Sequence, residues 1–190
     1  MQLRLPGLPH DHPELPPREE LDSRAHRGGE GKGPGSSSRE IRERMRVYLD
    51  NCCYNRPFDD QRILTTALET FAKLQIQALM RAGTIEYVWS DSLCHEVQNN
   101  PFTKRYRSII AWLDGAAEYV ETTEEVIERA RELESIGIKK MDALHIASAE
   151  IANCDWFFTT DKGILRKIDM SGSMRVANPV EFIIGRHEDE

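Results

Sequence analysis

The 190-residue sequence has no run approaching the ~18 consecutive apolar residues of a membrane-spanning helix, which argues against a helical membrane protein. Its four cysteines, Cys52, Cys53, Cys94 and Cys154, form no C-x-x-C pair and have no His at metal-ligand spacing. That removes the usual zinc frameworks and leaves reduced thiols of a cytoplasmic protein. A Walker A loop and a G-x-G-x-x-G turn are both absent, so nothing points to a nucleotide cradle. The sharpest absence is local. Residues 1–44 contain no Phe, Trp, Tyr, Val or Cys, yet hold six of the nine Pro and six of the twelve Gly.

Such a segment has too little apolar surface to offset the entropy of ordering itself, so a disordered extension is expected over 1–44. It lacks the apolar h-region of a secretory signal, and its eight acidic residues do not suit a transit peptide. His10 and His12 read as solvated side chains of a proline-rich stretch. At Met45 the texture changes to Met-Arg-Val-Tyr-Leu-Asp, so Met45 is read as the natural start and 1–44 as an upstream extension or leader. A tail or linker is the alternative. The eight basic and eight acidic residues of 1–44 cancel, leaving the formal charge of −7 to residues 45–190.

Strand-like and helix-like patterns alternate from there. Strands are expected at Arg46–Asp50, Glu86–Trp89, Glu118–Glu121, Trp156–Thr160 and Arg175–Ala177. Between them, Asp60–Arg81 repeats Ile63, Leu64, Ala67, Leu68, Phe71, Leu74 and Leu79 at three- and four-residue steps, stopped by Gly83. Further helices are predicted from Ser90 or Asp91 to Gln98, over Arg105–Leu113, and over Glu124–Ser135 behind a Thr122/Glu125 capping box. The last three run over Lys140–Ala152, Asp161–Ile168 and Pro179–Ile184. Strands joined by helical crossovers predict an α/β fold with a mostly parallel sheet and helices on both faces, ending in a polar tail at 185–190.

In such a sheet, ligands bind outside the carboxyl ends of the strands. Asp50 and Asp161 close two strands, Glu96 lies in the helix after another, and Asp142 lies in the first turn of the Ala-rich helix. Each acid alone has a structural explanation, such as a helix cap for Asp161 or a dipole partner for Asp142. Four together repel, which raises carboxyl pKa values or calls for a cation. Oxygen donors suit Mg²⁺ or Mn²⁺, and a carboxylate cage without a nucleophile points to metal-activated water attacking a phosphodiester. A haloacid-dehalogenase-type phosphatase wants Asp-x-Asp after its first strand, whereas Cys52 stands where the second acid belongs. A receiver domain does not fit either.

Met45-Arg-Val-Tyr-Leu-Asp50-Asn51, Lys140-Met-Asp142-Ala-Leu-His-Ile-Ala147, Cys154-Asp-Trp-Phe-Phe-Thr-Thr160-Asp161 and Asn178-Pro179-Val-Glu-Phe182 together resemble PIN-domain nucleases. VapC-type toxin ribonucleases are the branch most similar. The resemblance spans 45–184 and implies a three-layer α/β/α fold on a five-stranded sheet, with Mg²⁺- or Mn²⁺-dependent endoribonuclease activity. It implies an acidic quartet of Asp50, Glu96, Asp142 and Asp161, with Asp50 and Asp142 the strongest metal ligands. Glu96 is the loosest match, and Glu86 stands nearby. Thr160 is expected to orient Asp161 or a water, and Asn51 either points into the site or shapes the turn. The resemblance also implies an RNA substrate, a cognate antitoxin and a homodimer. His145, three residues after Asp142, either approaches substrate or is an ordinary packed or exposed histidine.

Basic residues cluster at Lys104-Arg105-Tyr106-Arg107, at Lys139 and Lys140 before Asp142, and at Lys162 after Asp161. Arg105, Lys139, Lys140 and Lys162 are candidate nucleic-acid contacts, and Tyr106 either stacks a base or packs in the core. A non-cleaving PIN-like binding module and a stand-alone DNA nuclease are the competing functions.

Overall fold

The computed structural model describes residues 44–167 and 173–188; the extension expected at 1–44 lies, apart from Arg44, outside them. Five parallel strands form the sheet: β1 (Arg46–Leu49), β2 (Glu86–Ser90), β3 (Glu118–Val120), β4 (Trp156–Phe158) and β5 (Arg175–Ala177). Their spatial order is β3-β2-β1-β4-β5. The chain first builds outward from β1 through β2 to β3, then restarts on the other side with β4 and β5. The topological switch point therefore lies between β1 and β4, where open α/β sheets place their ligands.

Helices cover both faces, so the central strands read as unbroken apolar runs. Val47, Tyr48 and Leu49 of β1 and Phe157 and Phe158 of β4 are completely buried. Tyr48 is in register with Phe157, and their rings stack 5.5 Å apart at 11°. The helices are α1 (Asn51–Asn55), α2 (Leu64–Arg81), α3 (Asp91–Gln98), α4 (Thr103–Ile110), α5 (Glu124–Ser135), α6 (Lys140–Ile151), α7 (Lys162–Lys167) and α8 (Pro179–Glu188). Short 3-10 turns follow α1 at Arg56–Phe58 and α4 at Leu113–Gly115. Pairs of helices pack together, α5 on α6 and α2 on α8.

Local signals hold at most boundaries. Ser90 caps α3 by accepting from the Leu93 N–H, and Gly83 and Gly137 follow α2 and α5 with positive φ. The cap of α5 falls one residue later than expected: Thr123, not Thr122, is extended and accepts from the Val126 N–H. Glu125 is thereby moved out of the capping-box position. The last helix runs through Gly185 to Glu188, into the segment read as tail.

α2 differs more deeply. Leu64, Leu68, Phe71 and Leu74, part of its expected apolar pattern, are exposed. Its inward side is instead Thr66, Ala72, Lys73, Ile76, Gln77 and Met80. The helix carries two apolar stripes; Ala72, Ile76 and Met80 are buried and Leu79 packs partly buried against the core. Lys73 buries its stem there with its ammonium 5.8 Å from the Tyr54 ring centre.

Candidate metal centre at the carboxyl edge of the sheet

Asp50 directly follows β1, and its N–H donates to the Phe158 carbonyl, so the β1–β4 ladder fixes its backbone. It stands at the N-cap of α1 but makes no cap hydrogen bond with its side chain. Only 6% of the residue is exposed. Its Oδ2 accepts from the Thr159 hydroxyl at 2.7 Å and from the Cys52 thiol at 3.1 Å. Thr159 Oγ1 also accepts from the Asp161 N–H at 3.1 Å, so one hydroxyl ties together the acids after β1 and β4.

The threonine hydroxyl bonded to both acids is that of Thr159; Thr160, expected to orient Asp161 or a water, accepts from Arg56, which also forms an ion pair with Glu69 at 3.0 Å. Successive side chains of an extended chain point to opposite faces, so a one-residue difference exchanges the two roles.

Glu96 lies on α3 and reaches His145 of α6, Oε2 to Nε2 at 2.9 Å. His145 is completely buried; its Nδ1 meets the Tyr48 hydroxyl at 2.7 Å, and that hydroxyl meets Ser90 Oγ at 2.6 Å. The Leu93 N–H donates to Ser90 Oγ, the Ser90 and Tyr48 hydroxyls carry the chain on to Nδ1 of His145, and the His145 Nε2–H donates to the Glu96 carboxylate. Burial works to raise the Glu96 carboxyl. The hydrogen bond and charge of His145, with a hydrogen bond from Asn51 and the charge of His95, outweigh it and hold Glu96 below the usual range. Donor atoms of Asp50, Glu96 and His145 all lie within 4.8 Å of one another. Both nitrogens of His145 are already engaged, so it packs and positions Glu96 while the carboxylates remain the donors.

Asp142 sits in the first turn of α6, three residues before His145 and on the same side. Burial pushes its carboxyl above the ordinary value, and the negative charges of Asp50 and Asp161 add to that; Lys139 and His145 oppose it. Asp161 Oδ1 accepts from the Gly163 N–H, the expected helix cap. A Cβ on Gly163 would fall 2.8 Å from that oxygen, so glycine leaves room for the carboxylate. Among the described residues, Asp50, Asp142 and Asp161 form no ion pair. Glu86, the other acid considered for the second strand, is at the opposite end of β2 beside Arg46, at 3.8 Å. Lys139, Lys140 and Lys162 are exposed, Lys139 at the N-cap of α6 and Lys140 and Lys162 at the first positions of α6 and α7. Arg105 is half-buried and donates to the Phe58 carbonyl.

The PIN domain family model matches residues 100–169, a stretch that includes Asp142 and Asp161. Over that stretch this chain is similar to the PIN-domain family. The sheet is the one the resemblance implies, five parallel strands between helices. PIN domains are generally metal-dependent nucleases. A chain of the crystal structure of VapBC2 from Rickettsia felis, bound to a DNA fragment from their promoter, is similar in structure. It is 16% identical with a TM-score of 0.45, covering 70% of this chain and 98% of that one. No curated protein matches the sequence. Among the described residues, no helix is long and apolar enough to cross a membrane.

The donor set fits a hard divalent cation: carboxylate oxygens from separate elements, one held by Thr159, one by His145, and one raised by burial and by its acidic neighbours. Three supporting residues were not apparent in the sequence: Thr159, Cys52, and Tyr48 with its hydroxyl in the relay. The i,i+3 spacing of Asp142 and His145 was the one available signal for the His145–Glu96 pair.

Proposed function

We propose that the chain is a divalent-cation-dependent endoribonuclease that hydrolyses RNA phosphodiester bonds. The observation that carries this reading is that donor atoms of Asp50 and Glu96 lie within 4.8 Å at a sheet switch point, with Asp142 near enough to Asp50 and Asp161 to feel their charge and, among the described residues, no ion pair to any of these three aspartates. Asp50, Asp142, Glu96 and Asp161 would hold Mg²⁺ or Mn²⁺, directly or through water. The ion, when bound, activates water and offsets the charge that develops on phosphate.

The chain's own residues do the rest. Thr159 fixes Asp50 and the backbone of Asp161 relative to each other. The Ser90–Tyr48–His145 relay holds the Glu96 carboxylate ionised in a half-buried place. Asn51 adds a hydrogen bond to Glu96. Lys139, Lys140 and Lys162, exposed beside Asp142 and Asp161, supply phosphate contacts from outside the acidic ring.

Membership in a toxin–antitoxin pair is the finer reading, with the enzyme acting in the cytoplasm. The outward stripe of α2, Leu64, Leu68, Phe71 and Leu74, supports a protein partner, an antitoxin or a second copy of the chain.

The test is cleavage of labelled RNA and single-stranded DNA with Mg²⁺, Mn²⁺ or EDTA. RNA is expected to be cut with either ion and not with EDTA. Asp142→Asn should lower the rate about 100- to 1,000-fold while leaving the fold intact. Cleavage indifferent to EDTA or to Asp142→Asn contradicts the mechanism. Binding without cleavage under every ion favours a non-cutting module.

A further inference from the structure

The helix α4 turns Tyr106 and Ile109 into the core, so Tyr106 is closed to any ligand. Phe102, at its N-cap, does the opposite and is 56% exposed. A lone exposed aromatic needs no explanation, but this one is furnished. The Arg105 guanidinium lies 4.7 Å from the Phe102 ring centre and 5.4 Å from that of Phe58. Arg105 Nη2 donates to the Phe58 carbonyl at 3.0 Å, which anchors the cation against both rings. Lys104 and Arg107 flank it in the open.

The group is also wired to the acidic centre. Asn51, hydrogen-bonded to Glu96, accepts from the Asn55 side chain at 2.9 Å. Asn55 Oδ1 accepts from Asn100 Nδ2 at 3.0 Å, and Asn100 Oδ1 accepts from the Phe102 N–H at 3.1 Å. A chain of three asparagines thus sets the Phe102 backbone relative to the carboxylates.

We propose that Phe102, backed by Arg105 and Phe58, is a stacking platform for an unpaired nucleobase of a single-stranded nucleic acid led to the acidic centre. The proposal rests on the nuclease reading and adds a substrate subsite to it. An exposed ring with a stacked guanidinium presents a π-face and a cation together, the combination on which unpaired bases settle without sequence preference. Lys104 and Arg107 meet the adjoining phosphates. Paired bases do not offer their faces, so the platform selects single strands.

The test measures fluorescence anisotropy of labelled oligonucleotides on the full chain carrying Asp142→Asn, so that nothing is cut. Phe102→Ala should weaken single-stranded RNA and single-stranded DNA of the same sequence about 5- to 100-fold. Phe102→Trp should restore binding, and affinity for the duplex should not change. With Asp142 intact, Phe102→Ala should raise KM for RNA and leave kcat within about twofold. Unchanged single-strand affinity in Phe102→Ala overturns the platform, as does an equal loss on duplex. A change in oligomeric state by sedimentation without a change in nucleic-acid affinity assigns the patch to a protein contact, also overturning it. If the Asp142→Asn chain binds no nucleic acid at all, the nuclease reading fails with the platform. If RNA is still cut metal-dependently with KM unmoved by Phe102→Ala, the platform alone fails.

Discussion

The two ends of the same parallel sheet treat charge in opposite ways. At the amino end, Arg46 forms ion pairs with Glu118 and Glu86, its N–H donates to Asp155 at 2.7 Å, and its guanidinium donates to the Ala152 carbonyl. Each carboxylate there has a cationic or N–H partner, and these contacts hold β1, β2, β3 and the turn before β4 in place. At the carboxyl end, Asp50, Asp142 and Asp161 gather with no ion pair among the described residues, and Asp142 is raised by burial and its acidic neighbours. Matched charge contributes to the fold. Unmatched like charge costs stability unless a ligand supplies the opposite sign. That contrast separates the structural acids Glu86 and Glu118 from the candidate ligands more sharply than conformation does.

An unmatched charge of the other sign offers the strongest way to break the comparison. Lys73, only 5% exposed, has its pKa pushed down to about 8 by burial. The unfolded chain holds that proton up to about 10.5. Stability should therefore rise with pH between about 8 and 10.5. Lys73→Met should stabilise the protein at pH 7 by roughly 2–3 kcal/mol and flatten that rise, read by urea unfolding at pH 7 and 10. No gain would mean that the ammonium is compensated in place.

Arg46→Met tests the matched end. Losing the ion pairs leaves Glu118 and Glu86 unpaired, so stability should fall by about 1–2 kcal/mol, with kcat per folded molecule unchanged. A fall in kcat would join the two ends functionally and erase the contrast. Within the carboxyl end, Thr159→Val removes the hydroxyl that holds Asp50 and should lower RNA cleavage about tenfold. Thr160→Val should alter it less than about threefold, because Arg56 retains Glu69. The reverse order would return the orienting role to Thr160.

That pair of threonines shows where sequence stops being informative. Strand ends, the apolar β1 and β4 runs and the glycine stops are local, so Asp50 and Asp161 could be placed at one edge from periodicity and turn chemistry. Whether Thr159 or Thr160 faces the acids depends on the residue at which β4 leaves the sheet, which no local propensity decides. The Glu96–His145 bond spans 49 residues and depends on how α3 and α6 meet. For α2, two apolar stripes compete for one core, and the side chosen buries Lys73 and Gln77 while exposing Leu64 and Phe71. Packing decides that, and so a surface suited to a partner could not be read in advance.

The central claim is that the unmatched acids form a divalent cation site, and Mn²⁺ binding followed by electron paramagnetic resonance addresses it directly. The full chain should bind Mn²⁺ in competition with Mg²⁺, and Asp50→Asn or Asp142→Asn should weaken binding by about tenfold or more. Equal Mn²⁺ affinity in the wild type and both variants would contradict the account.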